Sequence, residues 1–442
     1  MRRFVVPLLV FGVLALAFYA EQIVKTPPRG DRVVIHYWEK WTGAEGEAMR
    51  KVVDAFNNSQ DRIFVNYLPI SGVDQKTLLA TAGDVPPDVV GLWDNNVSQF
   101  ADGMAILPLD DLCREFGIQK DQYIKAYWDI CEYKDRIYAL PTTPASSALH
   151  YNTELYKKAG LDPADPPETI EELDAYAAKI SQKTPKGGFK VAGFMPNEPG
   201  WWNWSWALIF GGRWWDGESK ITALDPRNIK SMEWVEGYSK RYSPSQMHSF
   251  RAGFGGFDSP QNGFMAEKLA MVNQGVWMAN FIKNNNPKLN WAASPFPYPS
   301  DRPDMKNNTV IGLDVIAIPT GSKHVREAFE FIRFIQSQKG MEMLCLLQKK
   351  HSPLTNVSEA FLKTHSNPYI QLFIDLAKSP SAVAAPEMGL WPEFAQEINA
   401  AFESVLLMEK KPRQALQDVQ DRMQPKLDDY IATLKRREEA AR

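Results

Sequence analysis

Chemistry that depends on flat aromatic surface is concentrated in one stretch, Pro199 to Trp215, which holds six of the chain's fourteen tryptophans. Read as a helix opened after Asn197, with Pro199 in its first turn, the run divides into two faces. Trp201, Trp204 and Leu208 fall at i, i+3 and i+7 and form one apolar stripe, while Trp202 and Trp206 point away from it. One face can enter a core while the other lines a cavity, and Gly211 and Gly212 then stop the helix. Indole faces suit a ligand with apolar C–H patches and polar edges, which is the character of a sugar ring. The plain alternative is a Trp-rich core helix.

Enzymatic constellations are harder to find. The chain has no G-x-x-x-x-G-K-[ST] loop, no G-x-S-x-G elbow, no H-E-x-x-H and no G-x-G-x-x-G after a strand. The six histidines are scattered without metal-ligand spacing, and no cofactor motif is present. Asp110-Asp111 and Glu171-Glu172 are adjacent carboxylates, which do not face each other on a helix and serve the macrodipole at helix starts. A glycosidase needs two carboxyls across a cleft, a pattern that sequence spacing does not reveal. The three cysteines make no C-x-x-C pair; Cys113 and Cys131 could form one bridge in an oxidising compartment, leaving Cys345 buried.

These residues need elements to hold them. A chain of 442 residues is long for one domain, and two lobes are the natural expectation. The net charge of −3 comes without a block of one sign, so nothing reads as a nucleic-acid footprint. Arg2 and Arg3 followed by the apolar run Phe4–Ala20 form a targeting segment, either a cleaved signal peptide or an uncleaved anchor at the short edge of what spans a bilayer. Residues 1–30 are therefore read as leader plus linker. Val33–Tyr37, Ile63–Tyr67 and Asp88–Leu92 read as strands, separated by helical spacing over Ala44–Asn57 and Thr77–Ala82. That order implies βαβ units and a parallel sheet, with ligands outside the carboxyl ends of the strands. Trp38-Glu39-Lys40-Trp41 and Trp93-Asp94-Asn95-Asn96 occupy two such ends. Trp93 reads more as core, and Asp94 and Asn95 equally suit a helix cap. Thr142–Ser147 and Thr309–Ile318 look like crossings between lobes, Phe264–Asn273 like a helix plus an edge strand, and Pro412–Leu434 like an amphipathic helix.

On five of its segments the chain resembles the family 1 extracellular solute-binding proteins, the group similar to maltose-binding protein that serves carbohydrate ABC importers. The segments are Ala80–Val90, Phe100–Leu109, Tyr138–Leu140 with Pro141 and the following Leu149–Asn152, Met265–Trp277 and Val310–Ile318. The resemblance implies an α/β, two-lobed type II periplasmic binding protein fold, each lobe a mostly parallel sheet flanked by helices and joined by crossing strands. It implies residues 31–143 and 313–358 in lobe 1, and 144–312 and 359–442 in lobe 2. Family ligand positions fall on Trp38, Glu39, Trp41, Asp94, Asn95, Trp201, Trp202, Trp277 and Trp391, with Gly312 and Asp314 where the returning strand meets the cleft. Trp38, Lys40 and Trp41 depart from maltose-binding protein's small polar and acidic groups, and Ala145 replaces an acidic residue, which points to a different, larger glycan.

The expectation is a non-enzymatic, extracytoplasmic receptor, monomeric and without a cofactor. It takes a carbohydrate by hinge closure and passes it to the membrane permease subunits of an importer. The competing readings are a secreted carbohydrate-active hydrolase and a binder of a polyamine or a glycerol phosphodiester.

Overall fold

The structure, a computed structural model, describes residues 31–185, 187–200, 202–256 and 259–441. The leader expected over residues 1–30 lies outside them, and so does Trp201. Among the described residues no helix is long and apolar enough to cross a membrane.

Period-2 burial makes the first strands. In β1 (Val33–Glu39), Ile35, Tyr37 and Glu39 turn to one face, and β2 (Ile63–Pro69) repeats the alternation with Ile63, Val65 and Tyr67. β3 (Val89–Trp93) is buried on both faces over Val89–Leu92, as a strand inside a covered sheet must be. β1 pairs in parallel with β2 and with β3, and the helices Gly43–Ser59 and Val73–Ala82 supply the crossovers. The remaining strands of this sheet are β4 (Leu140–Asn152), β5 (Met271–Gly275), β6 (Trp291–Ser294), β7 (Thr309–Ala317) and β8 (Ala382–Val383). The order runs β6-β4-β7-β3-β1-β2, with β5 also on β4 and β8 on β7.

Two long strands carry the chain between lobes. The first part of β4 pairs with β7 and its last part with β5 and β6, so one strand belongs to both halves. Ser147 and Thr309 fasten the crossing: the Ser147 amide donates to Thr309 Oγ1 (2.9 Å), that hydroxyl donates to the Ser147 carbonyl (2.7 Å), and the Val310 amide donates to Ser147 Oγ (3.0 Å). The fold class is the expected two-lobed α/β architecture, with one difference. All pairings that β4 makes, and that of β7 with β3, are antiparallel, because these strands are joined by returns that cross the sheet rather than by βαβ units.

Two large cores flank the crossing. One gathers Ile35, Val52, Phe331, Ile332 and Leu344; the other gathers Leu149, Leu173, Trp206, Phe394, Ile398 and Leu416. Two local expectations fail, and a bridge left open by the sequence is not formed. No helix begins at Pro199: Gly200 sits at φ 91°, in the left-handed region that a helix excludes, and helical backbone starts only at Ser205. Residues 264–270 form turns instead of a helix because Glu267 lies at φ 57°. Cys113 and Cys131 are not bridged; all three cysteines are buried free thiols.

Candidate functional site

The ends of β1 and β3, the middle of β7 and three tryptophan-bearing segments of the other half surround one cavity of about 400 Å³. That volume is in the range of small-molecule sites. The first-lobe wall carries Trp41, Trp93, Asp94, Asn95 and Asp314, the second-lobe wall carries Trp202, Trp204, Trp277 and Trp391, and Gly312 lies on the crossing strand between them. The indoles meet edge to face in pairs: Trp41 with Trp93 (83° between planes), Trp202 with Trp277 (61°) and Trp204 with Trp391 (87°). In each pair one ring braces the other, which holds indole surface at a fixed tilt to the cavity. The Trp277 indole N–H donates to Gln274 Oε1 (3.1 Å), which sets that ring's orientation. The Trp41 N–H is shielded from solvent and has no acceptor among the described residues.

Beneath Trp41 lies a chain of buried charges. Lys40 Nζ pairs with Glu39 (3.4 Å) and with Asp314 (3.3 Å), and Lys350 Nζ pairs with Asp314 (3.1 Å) and with Glu45 (3.2 Å). Thr143 Oγ1 donates to Asp314 Oδ2 at 2.7 Å. A register shift in β7 between Leu313 and Val315 brings Asp314 to this position opposite Trp93. Burial alone would raise the Asp314 carboxyl, but the Lys350 and Lys40 charges outweigh it and hold the group well below its ordinary range. Burial alone would lower Lys350; the Asp314 and Glu45 carboxylates overcome it and raise the ammonium. Both ammonium groups also lie against indoles, Lys40 5.4 Å from the Trp41 ring centre and Lys350 5.4 Å from Trp41 and 5.9 Å from Trp277.

Asp94 differs from its neighbours, for no cation pairs with it among the described ion pairs. Its oxygens accept from the Asn95 amide (2.8 Å) and the Leu313 amide (2.9 Å), yet burial dominates and pushes its pKa up to about 6. It is a desolvated acceptor facing the cavity.

Of the expected site residues, Trp41, Asp94, Asn95, Trp202, Trp277, Gly312 and Asp314 line this cavity, and Trp391 borders it from within the second-lobe core, 1% exposed, because its ring packs against Trp204 and Phe394. Trp38 and Glu39 do not line it. On β1 alternate side chains face opposite ways, and Trp38 packs against the core that contains Val90 and Leu92. Glu39 is 2% exposed beneath the site, accepting hydrogen bonds from the Tyr37 hydroxyl, Lys40 Nζ and the Trp41 amide (3.2 Å). It positions Trp41 rather than facing the cavity. Because the helix starts late, the two expected faces of the Trp run exchange members. Trp204 reaches the cavity, while Trp206 is buried with its N–H donating to the Pro196 carbonyl (3.0 Å). Sequence reasoning also passed over Lys350, Glu45 and Asn399, and read Trp93 as core.

A model of the bacterial extracellular solute-binding proteins matches residues 40–342. Among curated relatives, the sn-glycerol-3-phosphate-binding periplasmic protein of Pectobacterium atrosepticum is 22% identical over 428 residues, covering 88% of this chain and 90% of the relative. Among solved structures, CpMnBP1 with mannotriose bound superposes with a TM-score of 0.78 at 27% identity, covering 88% of this chain and 99% of that one. The ABC substrate-binding protein of Listeria monocytogenes in complex with cycloalternan reaches 0.75 at 19% identity over 90% of this chain and all of its own, a likeness of fold.

Proposed function

Since this chain belongs to the bacterial extracellular solute-binding protein family, we propose that it is the substrate-binding subunit of an ABC importer, taking a carbohydrate, an oligosaccharide, between its lobes. It acts outside the cytoplasmic membrane, released or tethered by its N-terminal segment, and hands the glycan to the permease subunits as a monomer. The reading assigns residues 31–143 and 313–358 to one lobe and 144–312 and 359–442 to the other, a division supported by the two cores. The observation that carries it is the set of part-exposed indoles lining one cavity from both sides, Trp41 and Trp93 on one and Trp202 and Trp277 on the other, with Trp204 and Trp391 packed in the second-lobe core behind them. Sugar C–H faces stack on such rings, while Asp94, Asn95 and Asp314 accept from hydroxyls at the ring edge. Hydrogen bonds to charged acceptors contribute roughly 1.5–3 kcal/mol each, against about 1 for neutral ones. A ligand touching both walls stabilises the closed arrangement by the difference in its contacts.

Charge supports a neutral sugar over an anion. Glu45, Asp94 and Asp314 line the cavity against the single cation Lys350, which is already held by two carboxylates. A phosphodiester would meet that excess of negative charge. A binding role rather than hydrolysis is supported by the placement of the ionisable residues among the described lining, Glu45, Asp94, Asp314 and Lys350, on one wall, whereas a glycosidase sets its two carboxyls on either side of the scissile bond.

Calorimetric titration of the purified protein with mannotriose, maltotriose, cellotriose, spermidine and sn-glycerol 3-phosphate, with chromatography of the mixtures afterwards, tests this. Saturable heat with a glycan that is recovered intact is the expected result. Binding confined to sn-glycerol 3-phosphate or spermidine, or release of shorter sugars, would overturn it.

A further inference from the structure

The helix Trp391–Leu406 sorts its residues onto three faces. Phe394, Ile398 and Phe402 recur at i, i+4 and i+8 and are fully buried in the second-lobe core. Glu393 and Glu397 point to the C-terminal helix Pro412–Ala441, where Glu393 pairs with Lys426 and Glu397 with Arg422 (2.7 Å). These two faces fix the helix's rotation. The third, Trp391, Ala395 and Asn399, again at i, i+4 and i+8, lines the interlobe cavity.

That third stripe extends the site. At about 1.5 Å of rise per residue, Asn399 lies about 12 Å along the helix from Trp391. Between them Ala395 contributes only a methyl group, so the helix surface is low where a larger side chain would fill it. At the far end the Asn399 carboxamide oxygen is shielded from solvent and has no hydrogen-bond partner among the described residues. A polar atom in that position calls for a partner. Rotation about the last side-chain torsion, a broad two-fold well, lets the amide present either its oxygen or its NH₂ to the groove.

We infer that the Ala395–Asn399 stripe is a subsite for a sugar ring beyond those held between the indoles of the cavity, and that Asn399 reads a hydroxyl of that ring. This rests on the carbohydrate reading above and goes further: the stripe sets how long a glycan must be to bind tightly. A monosaccharide or a ligand confined to the Trp391 end leaves Asn399 unpartnered, while a longer chain supplies the missing group.

The test is a length series from one to four rings in manno-, malto- and cello-oligosaccharides, titrated into wild type, Asn399→Ala and Ala395→Leu, with melting temperatures recorded. Both replacements are good helix formers and leave Phe394, Ile398 and Phe402 in place, and the melting temperatures report any strain at Ala395, which borders the core. Wild type is expected to gain about tenfold in affinity at the ring that enters the subsite. Asn399→Ala should cut that gain by about fivefold, and Ala395→Leu should abolish it, both leaving shorter glycans bound as before. Equal losses at every length, or an undiminished gain in both variants, would overturn the subsite while leaving the carbohydrate reading in place. Absence of heat with every glycan in all three series would instead sink the carbohydrate reading, and the subsite with it.

Discussion

Replacing Lys350 with methionine probes the charge chain beneath the cavity. The Lys350 side chain is 3% exposed and its ammonium reaches Asp314 at 3.1 Å and Glu45 at 3.2 Å. Methionine keeps most of the stem and removes the charge. Breaking a buried pair by deleting one partner costs roughly 3–5 kcal/mol, because the other charge stays buried. Asp314 keeps Lys40 at 3.3 Å and the Thr143 hydroxyl, which puts the expected loss at the low end, about 3 kcal/mol. With a urea slope of about 2–3 kcal/mol/M, the unfolding midpoint at pH 7 should fall by about 1 M. The pH dependence follows from the directions of the two shifts. Asp314 is held low, so its stabilising contribution is present above the unfolded carboxyl value of about 3.9 and is lost as pH falls through the lower folded value. In the variant Asp314 loses its strongest opposing charge, its carboxyl rises, and acid unfolding begins at a higher pH. Lys350 is held high, so its contribution is present below about 10.4 and is lost as pH rises through the folded value. The variant should lack that alkaline loss. A midpoint shift of under 0.3 M with an unchanged acid limb would refute the argument that these charges are coupled and buried.

Two further outcomes follow from the same geometry. Gly91→Ala drives a Cβ into the Glu39 carboxylate, which is held by Tyr37, Lys40 and the Trp41 amide. The variant should lose roughly 1–3 kcal/mol in urea unfolding, and wild-type stability would show that Glu39 moves aside freely. Thiol titration of the non-reduced protein in denaturant should count three thiols, since Cys113, Cys131 and Cys345 are all free; a count of one would restore the bridge.

What could be read from the sequence was whatever one element carries by itself. The first three strands and their intervening helices announce themselves by alternation and by 3.6-residue spacing, and Thr309–Ala317 by its β-branched run; Leu140–Asn152 reads as strand-like ends around a small polar link, and only its pairing with neighbouring strands makes it one continuous strand. The phase of the Trp run was lost because it depends on where the helix starts, and one left-handed glycine moves that start past Trp204. Glu39 could not be told from Trp41 as a wall residue, since a strand's last residue faces in or out according to a register set by partners. Lys350 gave no local sign: after Lys349 at a helix end it resembles a solvated basic terminus, and only Asp314 and Glu45, far off in sequence, make it a buried cation. Asn399 likewise reads as one more polar position on an amphipathic helix until the fold sets it on the cavity wall.

The most direct measurement is calorimetric titration of Trp277→Ala with the glycan that wild type binds tightest. Trp277 braces Trp202 and is held by Gln274, on the lobe opposite Asp94. If a sugar ring is gripped by indoles from both lobes, affinity falls by more than about tenfold, 1.4 kcal/mol or more, while the melting temperature of the ligand-free protein stays close to that of wild type. An unchanged affinity in a folded variant would contradict the account at its centre.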